Sequence, residues 1–312
     1  MRKTSTSLLV MAALLSAAGC GSDPGTGGTA GTGGAGGAGG SGGAAGRAGT
    51  GGNAGTGGNA GAGGNAGAGG NGGAGGAGLA HFSFFVTSLD ALRALSNNPE
   101  GFGGDLRFGE TGPGAGLRGA DKICAAIAER SMPGAGAKPW RAFLSAVSGE
   151  NGMRVDAIDR IGEGPWYDRL GRLLAMTKAD VANTRPIGAD PAIINDFPNE
   201  DGVTNHRPDP SMPAVDNHDM LTGSNTMGRL YSATATCKDW TANLGDLATE
   251  GKPRVGHSWP RRGSGENWMS ALTESGCAPG VSLIEMGGPQ PDSTTVGSGG
   301  GYGGFYCFSL VP

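Results

Sequence analysis

Phe305-Tyr306-Cys307-Phe308-Ser309-Leu310-Val311 closes the chain, and His81-Phe82-Ser83-Phe84-Phe85-Val86-Thr87-Ser88 opens its non-repetitive part. Both runs are rich in aromatic and β-branched residues. The closing run is apolar on both faces, which suits a central strand buried on each side, and the opening run suits a buried strand. Between them, Leu117, Ala120, Ile123, Cys124 and Ile127 recur at helical spacing, and Pro133-Gly134 ends that helix. Trp140–Val147 (WRAFLSAV) reads as a strand or short helix. Asp156–Ile161 reads as a charged turn, and the Pro-, Asn- and Asp-rich stretch 180–220 as a long loop. Strands at both ends with irregular, Gly-rich segments between them predict an α+β fold over residues 80–312.

Outward from that domain the composition changes. The chain has 312 residues and 66 glycines, and 31 of those glycines fall between Gly21 and Gly78. Residues 20–79 hold no bulky side chain that could offset the entropy of ordering, so they are expected to form a flexible spacer. Its root-mean-square reach is about 40 Å. Collagen is excluded, because no strict Gly-X-Y period is present. The net charge is −4, from 23 basic and 27 acidic residues. That balance argues against a nucleic-acid partner.

The first 19 residues read as an export signal. Met1-Arg2-Lys3 is basic, Leu8–Leu15 is a short apolar core, and Ser16-Ala17-Ala18-Gly19 are small. Cys20 follows. Ala17-Ala18-Gly19-Cys20 resembles a bacterial lipobox, in which the cysteine becomes the lipidated first residue of the mature protein. The expectation is a lipid anchor at Cys20 and a place in the bacterial cell envelope, at the outer membrane.

Four further cysteines, Cys124, Cys237, Cys277 and Cys307, are even in number. In an oxidising compartment disulfides are the default, and three pairings are open. A zinc site made from them lacks the Cys-x₂-Cys spacing it would need.

Several pieces occur together in order: Phe84-Phe85-Val86-Thr87-Ser88, Gly119-Ala120-Asp121 with Cys124, Trp140-Arg141-Ala142-Phe143-Leu144-Ser145, and Asp159-Arg160-Ile161. Then come Pro165-Trp166, Leu221-Thr222-Gly223-Ser224-Asn225, Thr236-Cys237-Lys238-Asp239-Trp240-Thr241 and Phe305-Tyr306-Cys307-Phe308. Residues 80–312 thereby resemble the bacterial secreted lectin-like domains related to endostatin, a divergent branch of the C-type lectin fold. The resemblance implies paired first and last strands and nested disulfides, Cys124–Cys307 and Cys237–Cys277. It also implies surface binding or adhesion, with an extracellular polysaccharide or protein as partner and no catalysis.

Candidate sites follow from residue chemistry. Gln290-Pro291-Asp292 matches a sugar-binding lectin triplet but lies after Cys277, and no Trp-Asn-Asp accompanies it, so no calcium–sugar site is carried onto it. No cofactor is required. Calcium is the candidate cation for the oxygen-rich loop containing Asp196, Asn199, Glu200, Asp201, Asp216 and Asp219. A smaller zinc alternative joins His206 and His218 with Asp216 or Asp219. Ligand contacts are assigned to Trp259 first, flanked by His257, Arg261 and Arg262, and to Trp268. Two alternative readings remain: a structural envelope or matrix component, and a hydrolase in which His257 serves Ser258 and Asp239 orients it.

Overall fold

The computed structural model describes residues 81–205, 217–260, 267–283 and 289–312. The proposed anchor and spacer, together with His206, Asp216, Arg261 and Arg262, lie outside the described residues. What is described is a mixed α+β fold closed by two disulfides.

The closing apolar run forms the longest strand, β8 (Gly301–Ser309), buried along its whole length. The opening run forms β1 (Phe84–Val86), antiparallel to β8 with Phe85 opposite Cys307. On the other edge of β8, β2 (Trp140–Ala142) runs antiparallel beside Cys307–Ser309. Farther back along that strand, β5 (Asp219–Leu221) runs parallel beside Gly301–Phe305. The sheet continues through β6 (Arg254–His257) to β7 (Leu272–Thr273). A separate ribbon joins β3 (Trp166–Tyr167) to β4 (Leu173–Ala175). The eight-residue stretch Trp140–Val147 therefore contributes a strand of only three residues. Beyond it the chain leaves β8 and turns toward β5, where the Ser145 amide donates to Thr222 O.

Two helices cover the β1–β8 end. α1 (Leu89–Ser96) starts where Ser88 Oγ accepts from the Ala91 amide. α2 (Ala115–Ser131) buries Leu117, Ala120, Ile123, Cys124 and Ile127, the set with helical spacing. Its Cys124 bonds to Cys307 of β8. The second bridge, Cys237–Cys277, falls inside the span of the first. Of the three pairings open to four cysteines, the fold adopts the nested one.

The core is aromatic. Trp140 stacks edge-on to Phe82 and Phe85. Trp268 lies 4.6 Å from Phe143 and 5.1 Å from Tyr306, centroid to centroid. Burial of each such ring contributes on the order of 2–3 kcal/mol. Trp268 is 0% exposed and its Nε1 donates to Val181 O, so its assignment as a ligand contact is corrected. Trp240 is likewise core, donating through Nε1 to Ser145 O.

Candidate functional site

β5 and β6 pair in a register that sets Asp219 directly opposite His257. Cross-strand partners have Cβ atoms within about 5 Å, so the two side chains meet without any further device. Asp219 Oδ1 lies 3.1 Å from His257 Nε2 and 3.4 Å from His218 Nε2. The imidazole rings stand at 88° with centroids 4.2 Å apart. The backbone is fastened at the same point, where the Ser258 amide donates to His218 O at 2.7 Å. All three side chains are buried. Among the described residues, His218, Asp219 and His257 are the one group of three whose ligand atoms converge, within 4.8 Å of one another.

A second acid, the fourth residue of the cluster, closes the far side. Glu274 follows β7 and is fully buried. Its Oε2 accepts from Ser298 Oγ at 2.5 Å and from the Gly299 amide at 2.8 Å. Its other oxygen faces Asp219 across Gly299. A Cβ on Gly299 would sit 2.8 Å from Asp219 Oδ2 and 3.1 Å from Glu274 Oε1. The bare Gly299 is thus what leaves room for the two carboxyls. Burial, then the charge of Asp219, push the Glu274 carboxyl well above its usual range, against the two donors that pull it down. Burial does the same to the Tyr306 phenol, again with Asp219 adding to it.

Among the described residues, the acids of the oxygen-rich loop do not gather around one point, and Asp216 lies outside those residues. Glu200 is spent on α1, where its carboxylate accepts from the Ser88 amide at 3.0 Å and the Ser88 hydroxyl at 2.5 Å. Burial raises its pKa and those two donors lower it. Asn199 Oδ1 accepts from the amides of Asp201 and Val203, closing a tight turn. Asp196 Oδ1 accepts from the Asn205 amide at 3.1 Å. Backbone amides and the Ser88 hydroxyl take up oxygens of Asp196, Asn199 and Glu200, and among the described residues Asp196, Glu200 and Asp201 form no ligand group. Asp219 belongs to a different constellation, on a strand and beside two imidazoles.

In the hydrolase arrangement, Asp239 does not sit where that reading assigns it. Asp239 accepts from the amides of Val147 and Ser148 at 2.6 and 3.0 Å and takes no part in holding His257. Asp219 does that. Ser258 Oγ is buried and makes no hydrogen bond among the described residues, His257 included.

Trp259 is half-buried, with its ring 6.3 Å from that of His218. Asn217, next to His218, lines a cleft of about 510 Å³ that also receives Asp90, Arg93, Arg130, Asn199 and Asp201. The loop that was expected to bind calcium therefore forms one wall of an open polar cleft.

Glu274 went unassigned from sequence. Nothing near Leu272-Thr273-Glu274-Ser275 marks a site, and the clue lay in the run Gly299-Gly300-Gly301, where a bare backbone signals close approach. No protein-family model matches this chain, and no curated protein matches it.

Proposed function

We propose that this chain is a lipoprotein of the bacterial cell envelope, anchored through Cys20 at the outer membrane. Its 80–312 domain is a lectin-like, non-catalytic module that binds an extracellular polysaccharide. The observation that carries the binding role is the polar cleft between α1 and the 199–205 loop. It holds acids, amides and the two guanidinium groups of Arg93 and Arg130 in a concave surface. Sugar hydroxyls are donors and acceptors at once, and such mixed polar groups match them. The lectin-like reading is supported by the antiparallel pairing of β1 with β8 and by the nesting of the two disulfides, the arrangement that the resemblance implies. The exported location is supported by the bridges themselves, which persist in oxidising compartments. Trp259, half-buried at the same end as His218, is a second contact in this reading.

The test has two arms. Cells fed a labelled fatty acid are expected to label the wild-type chain and not Cys20→Ser; a label retained in Cys20→Ser overturns the anchor. The purified mature chain is expected to be retained on a polysaccharide array, and the double variant Arg93→Ala/Arg130→Ala to lose at least tenfold in affinity. Equal retention of the variant removes the cleft from the reading. Retention on a protein partner alone replaces polysaccharide by protein.

A further inference from the structure

We propose that His218, Asp219 and His257 bind a divalent transition-metal ion, Zn²⁺ by their donor set. The proposal does not depend on the lipid anchor or on the polysaccharide, so its failure leaves those readings standing.

Geometry comes first. Zinc holds nitrogen and carboxylate-oxygen ligands at about 2.0–2.1 Å in a tetrahedron, whose edges are then about 3.3 Å. The two measured edges, Asp219 Oδ1 to His257 Nε2 at 3.1 Å and to His218 Nε2 at 3.4 Å, bracket that length. All three donor atoms lie within 4.8 Å of one another, so drawing the two imidazole nitrogens together is the movement a single small cation would ask of the site. The donors are also preset. Asp219 and His257 are register partners on adjacent strands, and His218 is tied to β6 through the Ser258 amide.

Charge points the same way. Asp219 is fully buried, and neither of its carboxylate oxygens has a hydrogen-bond donor in good geometry among the described residues. A buried carboxylate is retained when something positive or a donor compensates it. Its Oδ2 side is turned to another carboxyl, that of Glu274, which offers no positive charge. A dication on the Oδ1 side supplies the compensation where the imidazole nitrogens already converge.

Donor type selects the metal. Calcium and magnesium favour six or more oxygens, and two of these three donors are nitrogen. Two imidazoles and a carboxylate suit zinc and its first-row neighbours, and zinc alone among them has no redox chemistry to run in an oxidising compartment.

The experiment uses the mature chain with both disulfides intact, stripped by a chelator and titrated with Zn²⁺ alone. Equilibrium dialysis with metal analysis is expected to find one equivalent bound at micromolar free zinc. His257→Gln and Asp219→Asn are each expected to weaken binding at least tenfold, with the near-ultraviolet circular dichroism of the wild type. Binding far below one equivalent in the wild type, or wild-type affinity in both variants, overturns the site. Should the variants not fold, ¹⁵N imidazole shifts of the wild type decide: His218 and His257 are expected to move on titration while His81 stays. Movement at His81 alone, or nowhere, overturns it equally.

Discussion

Asp219 and Glu274 illustrate what a single residue can reveal at this site. Two carboxyls buried face to face cannot both be ionised at low cost, and Glu274 is the one driven toward its neutral form. A carboxyl whose folded pKa lies above its unfolded value, here above 4.5, lends stability that is fully present below the unfolded pKa. That contribution is lost as pH rises toward the folded value. Glu274→Gln removes the titration while leaving an amide that can donate to Asp219. In chelator, thermal melts from pH 4 to pH 8 are expected to show the wild type losing stability relative to Glu274→Gln, with the variant at least as stable at pH 8. Parallel profiles would refute the raised Glu274 carboxyl. The tryptophans give the complementary lesson. Trp259 and Trp268 look alike in sequence, each in a loop-like stretch with polar neighbours, yet Trp268 is fully buried and Trp259 is not. A large ring's surroundings are chosen by distant elements, here Phe143 and Tyr306, and no local pattern reports them.

At the scale of elements, α2 was legible because its apolar residues repeat every three to four positions over 17 residues, enough for the period to emerge. Its glycines carry a second message. Gly119 faces the backbone of Leu106 and Arg107, and a Cβ there would lie 2.1 Å from both carbonyl oxygens. In a solvent-facing helix Gly→Ala gains about 0.5–1 kcal/mol. Here the close approach reverses the sign, and Gly119→Ala is expected to destabilise by about 1–3 kcal/mol, as overpacking does. Urea denaturation measures this, and a variant as stable as the wild type would contradict the contact. β5 and β6 were not legible. Asp219–Leu221 and Arg254–His257 are three and four residues long, too short for alternation to stand out from chance. The polar loop 196–201 misled for a related reason. Its acids looked like cation ligands, but Asn199 and Asp196 accept from amides of the same loop, and Glu200 accepts from Ser88, far away in sequence.

For the molecule as a whole, the bridges set how much of the fold is held by covalent bonds. Cys124–Cys307 spans 183 residues and Cys237–Cys277 spans 40. In the chain-entropy treatment these closures stabilise by about 5 and about 4 kcal/mol. Cys124→Ala/Cys307→Ala is therefore expected to lower the melting temperature more than Cys237→Ala/Cys277→Ala, followed by calorimetry on the oxidised proteins. The reverse order would place the dominant constraint in the inner loop. Parity and the expected export argued for bridges from sequence; which sulfurs join was left open by spacing, because pairing depends on where α2 meets β8.

Local signals were sufficient for the strand-forming ends and the periodic α2, and they alone carry the expectation of an export signal, a lipidated Cys20 and a spacer. Each acts over a few residues, so composition and period carry it. The convergence of His218, Asp219, His257 and Glu274 arises from three short strands and a glycine turn drawn from positions 218 to 301. Strand register is chosen by long-range packing and by where bare backbone lets groups approach. Neither leaves a mark in the neighbourhood of any one of these residues, so only the assembled fold could bring the four together.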